Sequence, residues 1–233
     1  AARAQRYADA IVVPTHATAA RLAELLDVGE RLRVIEGAAS TGLSVPEDAD
    51  ERLRRLGLGA RFLVTTGGTT APHGSRDVLA AIAHLDADVQ LAVLDAESGD
   101  IITANANALS IDHDRVIALD RLEQTDRAAV LHGAIALVLA GEEVGFGLPM
   151  LDAFSLGTPV IHSDHDTAVE IAADAGLVVP SGDQLPERLA AAVRTILEDS
   201  DARNRLAVSG QDRAGAFNWR STAEKTWQLH ADL

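Results

Sequence analysis

The 233-residue chain carries 35 acidic and 20 basic residues, a formal net charge of −15, and no cysteine. That charge argues against nucleic acid or an anionic membrane surface as the main partner, because phosphate groups need a basic face, and the lack of cysteine excludes disulfides and thiolate metal sites. Hydrophobic residues make up 47% of the chain but aromatic residues only 3%, so we expect one core of small aliphatic side chains, and no apolar run reaches the roughly 18 residues needed to cross a bilayer.

Short apolar runs alternate with helical segments from the first residues onward. A run over 10–13, a helix over 15–26 and a strand over 32–35 come first, followed by a loop to residue 46 and a helix over 50–56. Further strands are predicted over 62–66, 89–94, 115–119, 135–139, 159–161 and 177–179. The helices predicted between them cover 75–85, 100–109, 124–132, 148–155 and 168–173, and the remainder is helical.

This alternation predicts an α/β fold with a doubly wound parallel sheet, because a helix between two strands returns the chain to the same edge. The strand runs are continuously apolar, which is typical of strands covered by helices on both faces. Ligands of such sheets bind beyond the carboxyl ends of the strands, at the point where the strand order reverses. The loops to inspect are therefore 36–42, 67–75 and 140–148.

One of these loops carries a turn with a physical rationale for binding. Gly145, Phe146 and Gly147 follow a strand, and Pro149 stands in the first turn of the next helix. Glycines permit close backbone approach, and a helix start offers free N–H groups and a positive dipole end to an anion. Asp152 lies one turn further, where a carboxylate reaches a ribose hydroxyl. The competing interpretation is an ordinary strand–loop–helix connection.

The stretch 140–159, AGEEVGFGLPMLDAFSLGTP, resembles the signature of the retaining GT-B glycosyltransferases of family 4, also called glycosyl transferases group 1. Their pattern is roughly E-G-F-G-L-P-x-L-E-A-x-x-x-G-x-P-V. The resemblance extends over nearly the whole chain, through the segments 8–13, 55–58, 62–68, 131–139, 169–171, 174–177 and 218–219.

The resemblance implies a Rossmann-like domain that binds a nucleotide diphosphate sugar, a UDP-sugar or a GDP-sugar, with no further cofactor and no obligatory metal. It implies transfer with retention to an acceptor glycan or lipid held by another domain, in the cytoplasm, with the full-length protein at the inner face of a membrane. The donor-binding residues carried over are Gly67, Gly68, His73, Arg76, Gly145, Phe146, Gly147, Leu148 and Asp152.

The resemblance also implies a division of the chain. Residues 1–30 match the end of an acceptor-binding domain, 31–215 match the nucleotide-sugar-binding domain, and 216–233 match a terminal helix that packs back towards the first domain. Because the chain begins at Ala1 and has its only methionine at Met150, we expect it to be part of a longer product that does not transfer sugar by this part alone.

Several charged residues of the family pattern are missing. Val144 stands where the first glutamate contacts the donor sugar, so Glu143 is the candidate catalytic replacement if the loop shifts, and Asp152 replaces the second glutamate. The family's Arg-Lys pair, which binds the diphosphate, matches His73 and Gly74, with Arg76 as a substitute two positions beyond. The segment 36–40, EGAAS, replaces P-N-G-V-D.

These departures leave two functions open. One is an active sugar transferase, and the other is a catalytically impaired binding or scaffold module that keeps the fold. Binding of UDP, GDP or ADP discriminates between them. A GT-B epimerase would require acid–base residues that the sequence does not place.

Overall fold

The strands of the computed structural model, which describes residues 6–67, 74–96, 98–141 and 145–233, are all paired in parallel. They are β1 (Ile11–Val13), β2 (Leu32–Val34), β3 (Phe62–Thr66), β4 (Gln90–Leu94), β5 (Val116–Leu119), β6 (Leu137–Leu139), β7 (Val160–Ser163) and β8 (Leu177–Val179). The helices are α1 (His16–Leu25), α2 (Ala49–Arg55), α3 (Ser75–Ile82), α4 (Gly99–Ala108), α5 (Gln124–Gly133), α6 (Leu148–Ser155), α7 (Asp166–Ala172), α8 (Leu185–Glu198), α9 (Ser200–Gly215) and α10 (Trp219–Asp232).

The larger sheet has six strands in the order β5-β4-β3-β6-β7-β8. Helices cover both of its faces, as the continuously apolar strands require, and every residue of β6 is buried. Successive side chains of β3 serve opposite layers: Phe62 and Val64 belong to the core under α5 and α6, whereas Leu63 belongs to the core under α3 and α8. The predicted doubly wound parallel sheet is confirmed.

A second, two-stranded sheet pairs β1 with β2, in the register Ile11↔Leu32. The resemblance places the start of the nucleotide-sugar-binding domain at residue 31; β2, which begins at residue 32, pairs with β1, and the larger sheet begins at β3. A short apolar run predicts a strand without saying which sheet receives it. Glu170 of α7 ties the two sheets together, because its carboxylate accepts hydrogen bonds of 2.7 Å from the N–H groups of His16 and Ala17, at the start of α1.

The terminal helix α10 packs on the segment 36–40 that follows β2. Trp219 donates from Nε1 to the carbonyl oxygen of Ala39 at 2.9 Å, and Thr222 donates to the carbonyl oxygen of Glu36 at 2.7 Å. Lys225 forms an ion pair of 2.6 Å with the Glu36 carboxylate. The segment 36–40 is thereby fixed between the small sheet and the carboxyl edge of the larger one. None of the helices in the described ranges combines the length and apolarity of a membrane span.

Candidate functional site

The strand order of the larger sheet reverses between β3 and β6. The chain leaves β3 towards β4 and β5, then returns to β6 on the other side of β3. Gly67 ends β3 with its N–H donating to the carbonyl oxygen of Leu94 at 2.6 Å. A Cβ at Gly67 would lie 2.9 Å from the Cα of Ala96, so only glycine fits this close approach.

The start of α3 is pressed against the end of β6. Gly74 caps this helix in the left-handed conformation, with φ of 67°, and a Cβ there would lie 2.6 Å from the carbonyl oxygen of Ala140. The loop after β6 therefore runs directly past the first turn of α3. Because α3 follows β3 and α6 follows β6, both helices begin at the carboxyl edge where the strand order reverses.

The glycine turn before α6 contains two left-handed residues and leads into a helix start. Gly145 and Gly147 both have positive φ, 57° and 75°. Within the described part of the chain no atom lies within 4 Å of a Cβ built on Gly145, whereas a Cβ on Gly147 would contact Ile171 at 3.4 Å. The N–H groups of Met150 and Leu151 are used by the carbonyl oxygen of Gly147, and Pro149 has none. The N–H of Leu148, the first helical residue, has no partner within the helix and points outward with the positive end of the dipole.

The ring of Phe146 anchors this turn to its surroundings. It packs edge-on against Phe217, with ring centroids 6.4 Å apart and planes at 73°. Its edge also covers Gly37, where a Cβ would lie 2.7 Å from the ring. Phe146 thus joins the glycine turn to the segment 36–40 and to Phe217, which follows α9.

Asp152 lies one turn into α6 and is fully buried. Its two carboxylate oxygens accept hydrogen bonds from the backbone N–H of Ser40 at 2.7 Å and from the Ser40 hydroxyl at 2.9 Å. The guanidinium of Arg127, on α5, lies 3.9 Å from the same carboxylate and forms an ion pair of 2.8 Å with Asp95, directly after β4. Both carboxylate oxygens of Asp152 are therefore occupied by Ser40 in this structure.

Comparison with known proteins identifies the fold and its family. Residues 60–199, more than half of the chain, match the family model for glycosyl transferases group 1. The chain belongs to this family. The match covers the larger sheet and the starts of α3 and α6, whereas Gly37, Ser40 and Phe217, which contact Phe146 or Asp152, lie outside it.

Relatives of this group 1 glycosyltransferase share its sequence or its fold. The D-inositol 3-phosphate glycosyltransferase of Corynebacterium efficiens is 27% identical over 243 residues, 97% of this chain and 57% of that protein. The glycogen synthase of Mycobacterium tuberculosis is 34% identical over 110 residues, 47% of this chain and 27% of that protein. Anabaena Alr3699/HepE, in complex with UDP and glucose, has a TM-score of 0.83 at 20% identity over 99% of this chain and 65% of that one. The chain spans less than two thirds of each of these proteins, and its fold is the Rossmann-like fold of GT-B glycosyltransferases.

The other residues predicted for the site fall into two groups. Gly68, His73 and Glu143 lie outside the described residues. Arg76 is exposed on the first turn of α3 and forms no ion pair with a described residue. Among the described residues, Gly67 follows β3 and Arg76 lies on the first turn of α3, whereas Gly145, Phe146, Gly147, Leu148 and Asp152 lie on the turn and the helix that follow β6.

Sequence reasoning missed Ser40, Asp95 and Arg127 as neighbours of this site. Ser40 and Asp152 are 112 residues apart in the chain, and no local pattern connects them. A weak signal existed for Asp95, since a polar residue directly after a buried parallel strand lies at the carboxyl edge. Asp95 adopts φ of 53° there, a left-handed conformation that aspartate tolerates better than most residues.

A separate cavity of about 290 Å³ lies behind Phe217, between α7, α10 and the segment 36–40. Lys225 holds the pKa of Glu36 below its ordinary value by a hydrogen bond and its charge, against the opposing effect of partial burial. Glu36 pairs with Lys225, Glu170 caps α1, and Arg213 and Thr222 donate to backbone carbonyl oxygens. The cavity lies where the small sheet and the larger one adjoin. Among the described residues no three histidine, aspartate or glutamate side chains are placed to hold a metal ion.

Proposed function

We propose that this chain is the donor-binding half of a glycosyltransferase that transfers a sugar from a nucleotide diphosphate sugar to an acceptor with retention. The observation that carries the proposal is that two helices, each preceded by a left-handed glycine, begin at the carboxyl edge of a parallel sheet where its strand order reverses. Family membership and a UDP-bound structure of the same fold support it.

In this proposal the diphosphate lies against the glycine turn before α6. The N–H groups around Gly147 and Leu148 donate to phosphate oxygens, and the helix dipole stabilises the charge that develops on the leaving nucleotide diphosphate. Gly67 and Gly74 keep the neighbouring backbone close without side chains in the way. Protein groups thus supply the electrostatic stabilisation, and the mechanism assigned to the chain requires no metal ion.

The role proposed for Asp152 is to hold the ribose, in exchange for Ser40. A ribose offers two neighbouring hydroxyl donors, and Ser40 offers one N–H and one O–H donor to the same two oxygens. Each hydrogen bond lost to a charged acceptor costs about 1.5–3 kcal/mol. Displacing Ser40 therefore offsets much of the binding free energy that the ribose hydroxyls contribute. The proposal therefore includes weak donor binding.

The contact between Ser40 and Asp152 also favours a second candidate function, that of a catalytically impaired binding or scaffold module. Asp152 is occupied by the protein's own Ser40, and the sequence replaces both cations of the family's diphosphate site. In this alternative the fold is kept to hold a partner protein or a glycan, and the Ser40–Asp152 contact is permanent.

Titration calorimetry with UDP, GDP and ADP tests the proposal. We expect the preferred nucleotide to bind with a dissociation constant above about 100 µM, which corresponds to about −5.5 kcal/mol. Low-micromolar binding would contradict the impairment of the site, and no binding at millimolar nucleotide would leave the scaffold candidate. The Asp152→Ala variant should lose affinity, and unchanged affinity removes Asp152 from the site.

A further inference from the structure

Arg127 is an unassigned cation at the candidate site. It stands in the first turn of α5, with its side chain 20% exposed. Its Nη1 donates to Asp95 at 2.8 Å, and its Nε lies 3.9 Å from the carboxylate of Asp152. The guanidinium therefore reaches from the end of β4 to α6, across the edge where β3 and β6 end.

The surroundings hold this guanidinium in one place. Asp95 follows β4 directly in a left-handed conformation, φ 53°, and such strained residues cluster at ligand sites. On the other side, the Asp152 carboxylate is fully buried and accepts hydrogen bonds from Ser40. Among the described residues only Nη1 of Arg127 makes a hydrogen bond, so a guanidinium with five N–H donors keeps several for a ligand.

We infer that Arg127 recognises the nucleoside of the donor. Its guanidinium donates a hydrogen bond to a ribose hydroxyl, and the same hydroxyl donates a hydrogen bond to the Asp152 carboxylate. This inference rests on the proposed function, because it places the ribose at Asp152. A hydroxyl is both a donor and an acceptor, and Arg127 with Asp152 offers it one partner of each kind on facing helices. Arg127 thereby becomes a recognition residue that the family pattern does not include.

Charge decides between the nucleoside and the diphosphate as its ligand. Two carboxylates, Asp95 and Asp152, flank the single guanidinium, so the cluster carries one net negative charge. A diphosphate is repelled by this negative charge. A ribose is uncharged, and its hydroxyls accept a hydrogen bond from Arg127 and donate one to Asp152. The diphosphate lies instead at the glycine turn, where the helix dipole is positive.

The test compares two arginines of the same burial. Arg127→Gln removes the cation at the site, and Arg52→Gln removes the arginine of α2 whose side chain is 22% exposed and which pairs with Asp126, the neighbour of Arg127. The affinities for UDP and for inorganic pyrophosphate are measured by NMR titration for the wild-type chain and both variants. We expect R127Q to weaken UDP binding about tenfold, the loss of one charged hydrogen bond, with pyrophosphate binding unchanged and R52Q within twofold of wild type.

Each other outcome overturns a defined statement. Equal UDP affinity of R127Q and wild type contradicts the inference, as does an equal loss for UDP and pyrophosphate. If the wild-type chain binds pyrophosphate as tightly as UDP, the uridine contributes no affinity; the inference about Arg127 is then wrong, while the proposed diphosphate site is supported. If it binds neither, the proposed function fails as well. Should R127Q not fold, Arg127→Lys carries the test, with a several-fold loss for UDP expected because a lysine does not reach both carboxylates and a ribose.

Discussion

Replacing Ser40 by alanine removes one of the two hydrogen bonds that Asp152 receives from the segment 36–40. The backbone bond of 2.7 Å remains, while the hydroxyl bond of 2.9 Å is lost. The affected oxygen then has only the Arg127 Nε, at 3.9 Å, and water does not reach it because Asp152 is fully buried. A hydrogen bond to a charged group contributes about 1.5–3 kcal/mol, so we expect S40A to lower the free energy of unfolding by about 2 kcal/mol.

Urea denaturation and differential scanning calorimetry measure this loss. For a domain of this size about 2 kcal/mol corresponds to a fall in Tm of roughly 4–8 °C. The matched control is Ser155→Ala, because Ser155 donates to the backbone carbonyl of the same Asp152 at 2.8 Å from an exposed position, and its loss should stay within about 0.5 kcal/mol. An S40A variant as stable as S155A would refute the argument that Ser40 satisfies a buried carboxylate.

Three further results are expected. S40A should bind UDP more tightly than the wild-type chain, because the ribose no longer competes with the serine hydroxyl for Asp152, and calorimetry showing weaker binding would contradict the exchange. Gly74→Ala should lower the free energy of unfolding by about 3 kcal/mol, because residue 74 has a positive φ and contacts Ala140. Gly145→Ala should lower it by only about 1 kcal/mol, because residue 145 has a positive φ but no close neighbour among the described residues. Equal losses for the two variants in urea denaturation would contradict the tight contact at Gly74. Burial lowers the pKa of His162 below its ordinary 6.5. The stability that the neutral His162 contributes should therefore be fully present above pH 6.5, and the free energy of unfolding should fall as the pH drops from 6.5 towards the folded-state pKa. His162→Leu should flatten this decline, and equal slopes for the variant and the wild-type chain would exclude His162 as its source.

The helices and strands of the larger sheet follow from local patterns. Runs such as Leu137–Leu139 are apolar without alternation, which identifies strands covered on both faces. The glycine turn and Pro149 identify the start of α6, because left-handed residues and a proline in the first turn have few other uses. Parallel pairing and the reversal point then follow from the order of the elements, so the place of the candidate site was predictable.

The chemistry around that place was less predictable, because it depends on long-range contacts. The burial of Asp152 results from Ser40, which arrives from before the larger sheet. The position of Arg127 depends on how α5 packs beside α6, and α5 shows no motif around that arginine. The sheet that β2 joins was not predictable for the same reason, since a three-residue strand such as Leu-Arg-Val pairs with whichever strand the tertiary fold offers.

The central claim is that the backbone turn before α6 seats a diphosphate. Amide NMR spectra of the chain titrated with UDP test it most directly, since weak binding still displaces resonances. We expect the largest shifts at the N–H groups of Gly145, Phe146, Gly147 and Leu148, with inorganic pyrophosphate displacing the same resonances. Shifts confined to the cavity around Glu36 and Lys225, or a spectrum unchanged at millimolar UDP, would contradict the claim.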